Sequence, residues 1–182
     1  MPRYVALLRG VNMGGHKKLA MAELRALAED IGFAKAQTLL QSGNLVFSSA
    51  SKSPAALEAK LEGDLKKRLK LETTAMIRSA AEWQAVAAAN PYLTEAARDP
   101  SKFAVMVLKD KPAAKALAAL KAAITGPEYF TARGRELYAV YPEGFARTKF
   151  TTALIDRTLQ TVVTGRSWNT VMKLAKALEK QT

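Results

Sequence analysis

Apolar residues run unbroken from Tyr4 to Leu8, the pattern of a short strand covered on both faces. After a polar stretch, Leu24, Leu27, Ala28 and Ile31 recur at helical spacing, which predicts a helix from about Ala20. Gly32 stops it, since glycine enters a left-handed cap without a Cβ penalty, and Phe33 folds back on the last turn. The runs Ala36–Leu40 and Leu45–Ser48 flank Ser42-Gly43 as a hairpin. Ser53-Pro54 opens a second helix by cap and first-turn logic, with leucines at 57, 61, 65 and 69 in one stripe. Glu72–Arg78 reads as a fourth strand. The order strand, helix, strand, strand, helix, strand is the split βαβ arrangement of ferredoxin-like folds.

Ser79 and Glu82 form a capping box for a connector helix that carries Trp83 and Val86 and ends at Asn90-Pro91. The pattern then recurs about 100 residues on, with little residue identity. Lys102–Lys109 reads as a strand, and Pro112–Thr125 as a helix with Asp110 near its cap. Tyr129–Ala132 and Glu136–Tyr141 flank Arg133-Gly134, Thr148–Leu159 reads as a helix, and Thr161–Thr164 as a short strand. A last helix starts at Ser167, with Val171, Leu174, Ala175 and Leu178 on one face. The expected fold is α+β: two tandem ferredoxin-like (βαββαβ) subdomains plus a C-terminal helix. The first, residues 1–91, holds a glycine-rich loop and the connector helix; the second, residues 92–182, holds the C-terminal helix.

Chain direction then places the loops. Strands 1 and 2 run the same way and strand 3 returns between them. The loop after strand 1, the hairpin between strands 2 and 3, and the end of the second helix therefore share one end of the sheet. Gly10–Lys18, Gln41–Asn44 and Lys66–Lys70 should be neighbours. The first loop carries Gly10, Gly14, Gly15, His16, Lys17 and Lys18. Glycines permit positive φ and close backbone approach, so successive N–H groups can face an anion beside lysine charge; equally, such a loop merely turns the chain and leaves its lysines solvated. The helix after this loop adds a positive N-terminal dipole. Gly10 and Gly15 have the separation of a Walker loop, but His16 and Lys17 come next where Lys and Ser/Thr are required.

The candidate ligand-binding residues are Arg9, Gly10, Asn12, Gly14, Gly15, His16, Lys17, Gln41, Ser42 and Asn44. The amides and hydroxyl of the hairpin can read a ligand through paired donors and acceptors; equally, such residues close their own turn. The lysines of 66–70 balance a helix C-terminus as a solvated face. His16 is the one candidate proton carrier, with no partner at relay spacing, so no catalytic residue is assigned. Arg166 and Ser167 offer a second anion site at a helix start, with Trp168 as a core anchor.

Composition narrows the classes. The chain has 182 residues with a formal charge of +12, one histidine and no cysteine. Disulfides, thiolate chemistry, Cys-ligated zinc and multi-histidine sites are thereby excluded, and no metal or cofactor is expected. No apolar run reaches membrane-spanning length, and the N-terminus enters a strand without a signal-like segment, so a cytoplasmic location is the expectation. The positive charge is spread along the chain and supports attraction to anions in general.

The segment Ala6-Leu7-Leu8-Arg9-Gly10-Val11-Asn12-Met13-Gly14-Gly15, with Gln41-Ser42-Gly43-Asn44, resembles the bacterial domain of unknown function 1697 family. Asn90-Pro91-Tyr92, Tyr141-Pro142-Glu143-Gly144, Arg147-Thr148-Lys149 and Trp168-Asn169-Thr170-Val171-Met172-Lys173-Leu174 extend the likeness, with Ser167 where an Asn is expected. The resemblance implies two ferredoxin-like subdomains and brings no established activity. Two further readings stand beside a small anionic or phosphate-bearing ligand: charge-driven nucleic-acid binding, and a non-enzymatic interaction or scaffold protein. An RRM-type nucleic-acid surface is disfavoured, because strand 3 lacks its aromatic signature and the strands are apolar on both faces.

Overall fold

The computed structural model describes residues 1–15 and 17–181; His16 and Thr182 lie outside the described residues. The chain divides into two compact units, Met1–Ala85 with Lys173–Thr182, and Val86–Met172. In chain order the first six elements are β1 (Arg3–Leu8), α1 (Met21–Asp30), β2 (Ala34–Leu39), β3 (Asn44–Ser48), α2 (Pro54–Leu69) and β4 (Ala75–Ser79). The connecting helices α3 (Ala80–Ala88) and α4 (Leu93–Arg98) come next, then a 3-10 turn at Pro100–Lys102. The remainder is β5 (Phe103–Leu108), α5 (Ala114–Ala123), β6 (Tyr129–Arg133), β7 (Glu136–Val140), α6 (Thr152–Leu159), β8 (Val163–Ser167) and α7 (Trp168–Lys180). The unit boundaries fall inside α3 and α7.

In the first unit the sheet order is β2-β3-β1-β4, with every neighbour antiparallel. Tyr4, Ala6, Leu8, Leu45, Phe47, Ala75 and Ile77 project into a core with Leu24, Leu27 and Ala28 of α1 and Leu57, Leu61 and Leu65 of α2. After Gly32 the chain folds back, with Phe33 N–H donating to Ala28 O at 2.9 Å, and the Phe33 ring stacks on Phe47 at 4.1 Å between centroids. The alternate residues Val5, Leu7, Val46 and Met76 are equally inaccessible, so the sheet is covered on both faces. The second unit repeats the order as β6-β7-β5-β8, with Leu108, Leu120, Phe130, Leu137, Phe150, Ile155 and Val163 in its core. The two sheets also share a detail of register. Arg78 of β4 lies opposite Val5, and Arg166 of β8 opposite Val105, both buried.

Each unit seals one sheet edge with carboxylates. β4 is an edge strand, and its N–H groups at Ala75 and Ile77 donate to Glu62 Oε1 and Glu58 Oε1 of α2, both at 2.8 Å. In the second unit Val163 N–H donates to Asp156 Oδ1 of α6 at 2.9 Å. A helix that satisfies edge donors in this way removes a template for unwanted strand pairing.

Several expectations shift. Glu72–Thr74 is loop, not strand: Thr73 Oγ1 donates to the Arg9 carbonyl at 2.7 Å and Arg9 N–H to the Thr74 carbonyl at 3.0 Å. Asp110 does not cap α5, whose N-cap is Ala113; its carboxylate accepts instead from Thr161 Oγ1 at 3.2 Å. α6 begins at Thr152, with Thr151 accepting from Leu154 N–H at 3.2 Å. α4 has six residues, too few for a periodic signal. The last ten residues group with the first unit rather than with the second half. Their bonds explain it: Arg3 Nη1 donates to Leu178 O at 2.5 Å, Gln84 Nε2 to Ala175 O at 3.2 Å and Gln181 Nε2 to Lys35 O at 2.8 Å. The Ser79–Glu82 capping box forms in both directions, at 2.7 and 3.2 Å.

Candidate functional site

The first loop springs from a frame that both units share. Leu8 N–H donates to Gly43 O at 2.9 Å and Arg9 N–H to Thr74 O; Leu108 N–H donates to Arg135 O at 2.9 Å and Lys109 N–H to Val162 O at 2.8 Å. Beyond this frame the two connections diverge. Residues 9–20 link β1 to α1, whereas residues 109–113 suffice between β5 and α5. The extra length in the first unit is an addition to a scaffold that closes without it.

Asn12 holds that addition together. Its Nδ2 donates to Leu19 O at 2.8 Å and to Gln41 O at 2.6 Å, its Oδ1 accepts from Leu19 N–H at 2.8 Å, and its own N–H donates to Lys17 O at 3.1 Å. The amide thus joins both ends of the loop and ties the loop to the β2–β3 hairpin. Gly14 and Gly15, at φ +59° and +76°, are exposed with open space around them. Gly43 is the opposite case. At φ +78° it is closely packed, and a Cβ there would meet Val11 Cγ2 at 2.5 Å and Leu8 Cβ at 2.9 Å, so the hairpin can seat against the loop only without a side chain.

Of the hairpin polar residues, Gln41 is exposed, while Ser42 and Asn44 turn inward. Asn44 is fully buried, and its Nδ2 donates to Leu39 O and to Ser42 Oγ, both at 2.9 Å. Ser42 and Asn44 close their own turn. Arg9 is half-buried, anchored through its main chain to residues 73–74. His16 lies outside the described residues.

Lys17 reaches a different neighbour. With Gly63, Lys66, Lys67, Lys70, Leu71 and Glu72 it lines an open basin of about 850 Å³. Described residues of the loop therefore reach both other segments: Asn12 bonds to Gln41 of the hairpin, and Lys17 shares the basin with Lys66, Lys67 and Lys70. Lys66 and Lys67 lie in the last turn of α2 and Lys70 is its cap, where they offset the negative end of the helix dipole. Lys66 Nζ pairs with Glu72 Oε1 at 2.5 Å. Their hydrogen bond, reinforced by their charges, holds the Glu72 carboxyl below the usual carboxylate range and raises Lys66. Both groups are fully solvated, so the pair adds little to stability.

Left-handed backbone concentrates here as well. Of the thirteen described residues at positive φ, eight belong to this end: Gly10, Asn12, Gly14, Gly15, Lys17, Leu40, Gly43 and Lys70. Lys70 occupies the helix cap, at φ 55° and ψ 28°, where glycine is usual. The four non-glycine residues among them, Asn12, Lys17, Leu40 and Lys70, are strained there, and such strain gathers at ligand clamps.

The other sequence candidates are committed elsewhere. Arg166 is buried and donates to Thr164 Oγ1 at 2.8 Å and Gly165 O at 2.9 Å, and burial lowers its pKa to about 10. Ser167 Oγ accepts from Thr170 N–H at 3.3 Å as an ordinary helix cap. Trp168 packs edge-on against Phe103 and is half-buried. Among the described residues, no group of three or more His, Cys, Asp or Glu is placed to hold a metal ion, and no helix is long and apolar enough to cross a membrane. Gly63, Lys66, Lys67 and Lys70 are absent from the sequence-derived site. Part of their signal is nonetheless available there: positions i, i+3 and i+4 (63, 66 and 67) share one helix face, and Lys70 follows as the cap.

Comparison with known proteins adds a family to this geometry. A conserved bacterial protein from Streptococcus pneumoniae is similar in structure, with a TM-score of 0.76 and 23% identity, over 97% of this chain and 98% of that one. No curated protein matches the chain. A family model described as a protein of unknown function, DUF1697, matches residues 1–138, which include the glycine loop, the hairpin and the lysine helix. The motifs from Tyr141 onward lie beyond that match. By this match the chain belongs to the DUF1697 family.

Proposed function

We propose that the protein binds a small anionic, phosphate-bearing ligand at the loop end of its first unit. The observation that carries this reading is the basin lined by Lys17, Lys66, Lys67 and Lys70, drawn from segments far apart in sequence, with Glu72 the one acidic residue among the described residues that line it. The exposed Gly14 and Gly15 of the loop that carries Lys17, and the concentration of left-handed backbone at this end, support the same assignment. Within this reading Asn12, Ser42 and Asn44 are scaffold, and the lysines with the glycine loop are the contact surface. Each unit reads as a ferredoxin-like fold, supported by the βαββαβ order and the shared strand order.

The test uses two substitutions that suit the backbone. Lys17 and Lys70 both sit at positive φ, so Lys17→Gly and Lys70→Gly remove charge while relieving strain. Calorimetric titration with inorganic pyrophosphate at low salt is expected to show binding weakened by about tenfold or more in the double variant, with an unchanged or higher melting temperature. Equal affinity in wild type and variant would assign the ligand elsewhere.

Charge-driven nucleic-acid binding is the second reading, favoured by the formal charge of +12. The buried faces of both sheets leave it no stacking platform. A single-stranded RNA titration that weakens steeply with salt and is indifferent to Lys17 and Lys70 would favour it over the basin.

A further inference from the structure

Gly63 lies inside the sixteen-residue helix α2, nine residues after its start. Glycine in a helix interior is destabilising by about 1 kcal/mol relative to alanine, so its presence calls for a reason. Neither usual reason holds. Its backbone is helical rather than left-handed, and a Cβ at this position would meet nothing within 4 Å. Packing and conformation would both accept a larger residue. What distinguishes Gly63 is its place: it lines the basin, at the foot of a stripe that continues through Lys66, Lys67 and Lys70.

The chemistry of the lining narrows the ligand. Among the described residues that line the basin the cations are all lysines, compact charges that suit several phosphate oxygens at varied angles better than one planar carboxylate. No aromatic side chain is among the described residues lining the basin, so they offer no surface on which a base or other ring would stack. Lys66 already has a carboxylate partner in Glu72, and an entering anion must carry enough charge to displace it.

We infer that the basin takes a phosphate chain, a small molecule with two or more linked phosphates, lying along Lys66, Lys67 and Lys70 and seated against the bare backbone at Gly63. The inference rests on the anion-binding reading above and specifies its ligand class and its floor. Gly63 is a positioning residue by absence: it keeps the groove between the lysines open.

The experiment compares inorganic phosphate, pyrophosphate and tripolyphosphate by calorimetric titration against wild type, Gly63→Ala, Gly63→Leu and Glu72→Gln. Melting temperatures are recorded for each. Affinity is expected to rise about tenfold or more from phosphate to tripolyphosphate in wild type. Gly63→Ala is expected to raise the melting temperature and weaken tripolyphosphate severalfold; Gly63→Leu, which also suits a helix, abolishes binding without loss of fold. Glu72→Gln strengthens tripolyphosphate binding severalfold by removing the competitor for Lys66. If none of the three anions binds wild type, the anion-binding reading itself falls. If they bind with sensitivity to Lys17→Gly and Lys70→Gly but with equal affinities, or if Gly63→Leu binds like wild type, that reading stands and the phosphate-chain assignment is overturned.

Discussion

Asn12 shows how one side chain can look like a ligand contact and act as a fastener. Its amide makes three bonds, to Leu19 N–H, Leu19 O and Gln41 O, and none of these is local enough to be read from spacing alone. Asn12→Ala is expected to cost about 1–2 kcal/mol in urea unfolding and to speed amide exchange across the described part of the loop. Unchanged stability and exchange would mean the loop is held by its main chain alone. The same ambiguity explains Ser42 and Asn44, which by residue type suit a ligand and in the fold bond to each other. An amide has the same donors and acceptor whether it faces a ligand or a neighbouring carbonyl, so residue type cannot decide its direction. Gly14, Gly15 and Lys17 are legible for the opposite reason. Positive φ and exposed charge are properties of the residue itself.

At the scale of elements, α2 carries three distinct faces. Leu57, Leu61 and Leu65 face the core, Glu58 and Glu62 face the β4 edge, and Gly63, Lys66 and Lys67, joined by the cap Lys70, face the basin. The leucine stripe is visible in the sequence because burial imposes a period. The carboxylates are not, since Glu58 and Glu62 at i and i+4 look like any solvated helix face until β4 is placed beside them. Glu58 is buried, and Glu58→Ala leaves the Ile77 N–H without its acceptor. The expected loss is about 1–3 kcal/mol, read from urea or thermal unfolding, with Glu58→Gln retaining part of it. A loss within experimental error would show that water replaces the carboxylate. β4 is shorter than its sequence suggests for a related reason: Thr73 and Thr74 have strand-like propensity, but their polar groups are taken by Arg9 of the preceding loop.

Across the whole molecule, the repeated order of elements is legible because each unit solves the same burial problem with the same periods. Membership of the last ten residues is not, because their partners Arg3, Lys35 and Gln84 are remote from them in sequence. Buried tyrosines set a limit on stability at high pH. Tyr138 donates to the Val86 carbonyl at 2.7 Å, and burial, with a smaller contribution from Glu136, pushes its pKa from 10.0 up to about 12. Burial raises Tyr141 further, with Glu128 adding to it. A folded-state pKa above the unfolded value means the stabilisation is complete below pH 10 and is lost as pH climbs through 12. Urea midpoints measured from about pH 8 to about pH 11 should fall, and Tyr138→Phe should flatten the decline; a flat wild-type profile would contradict the burial argument. The fastener at Asn12 has a broader consequence. Because it ties the loop at its base, the tip can be rewritten or enlarged while the scaffold beneath stays sound, which makes this corner a port where selectivity can evolve independently of folding.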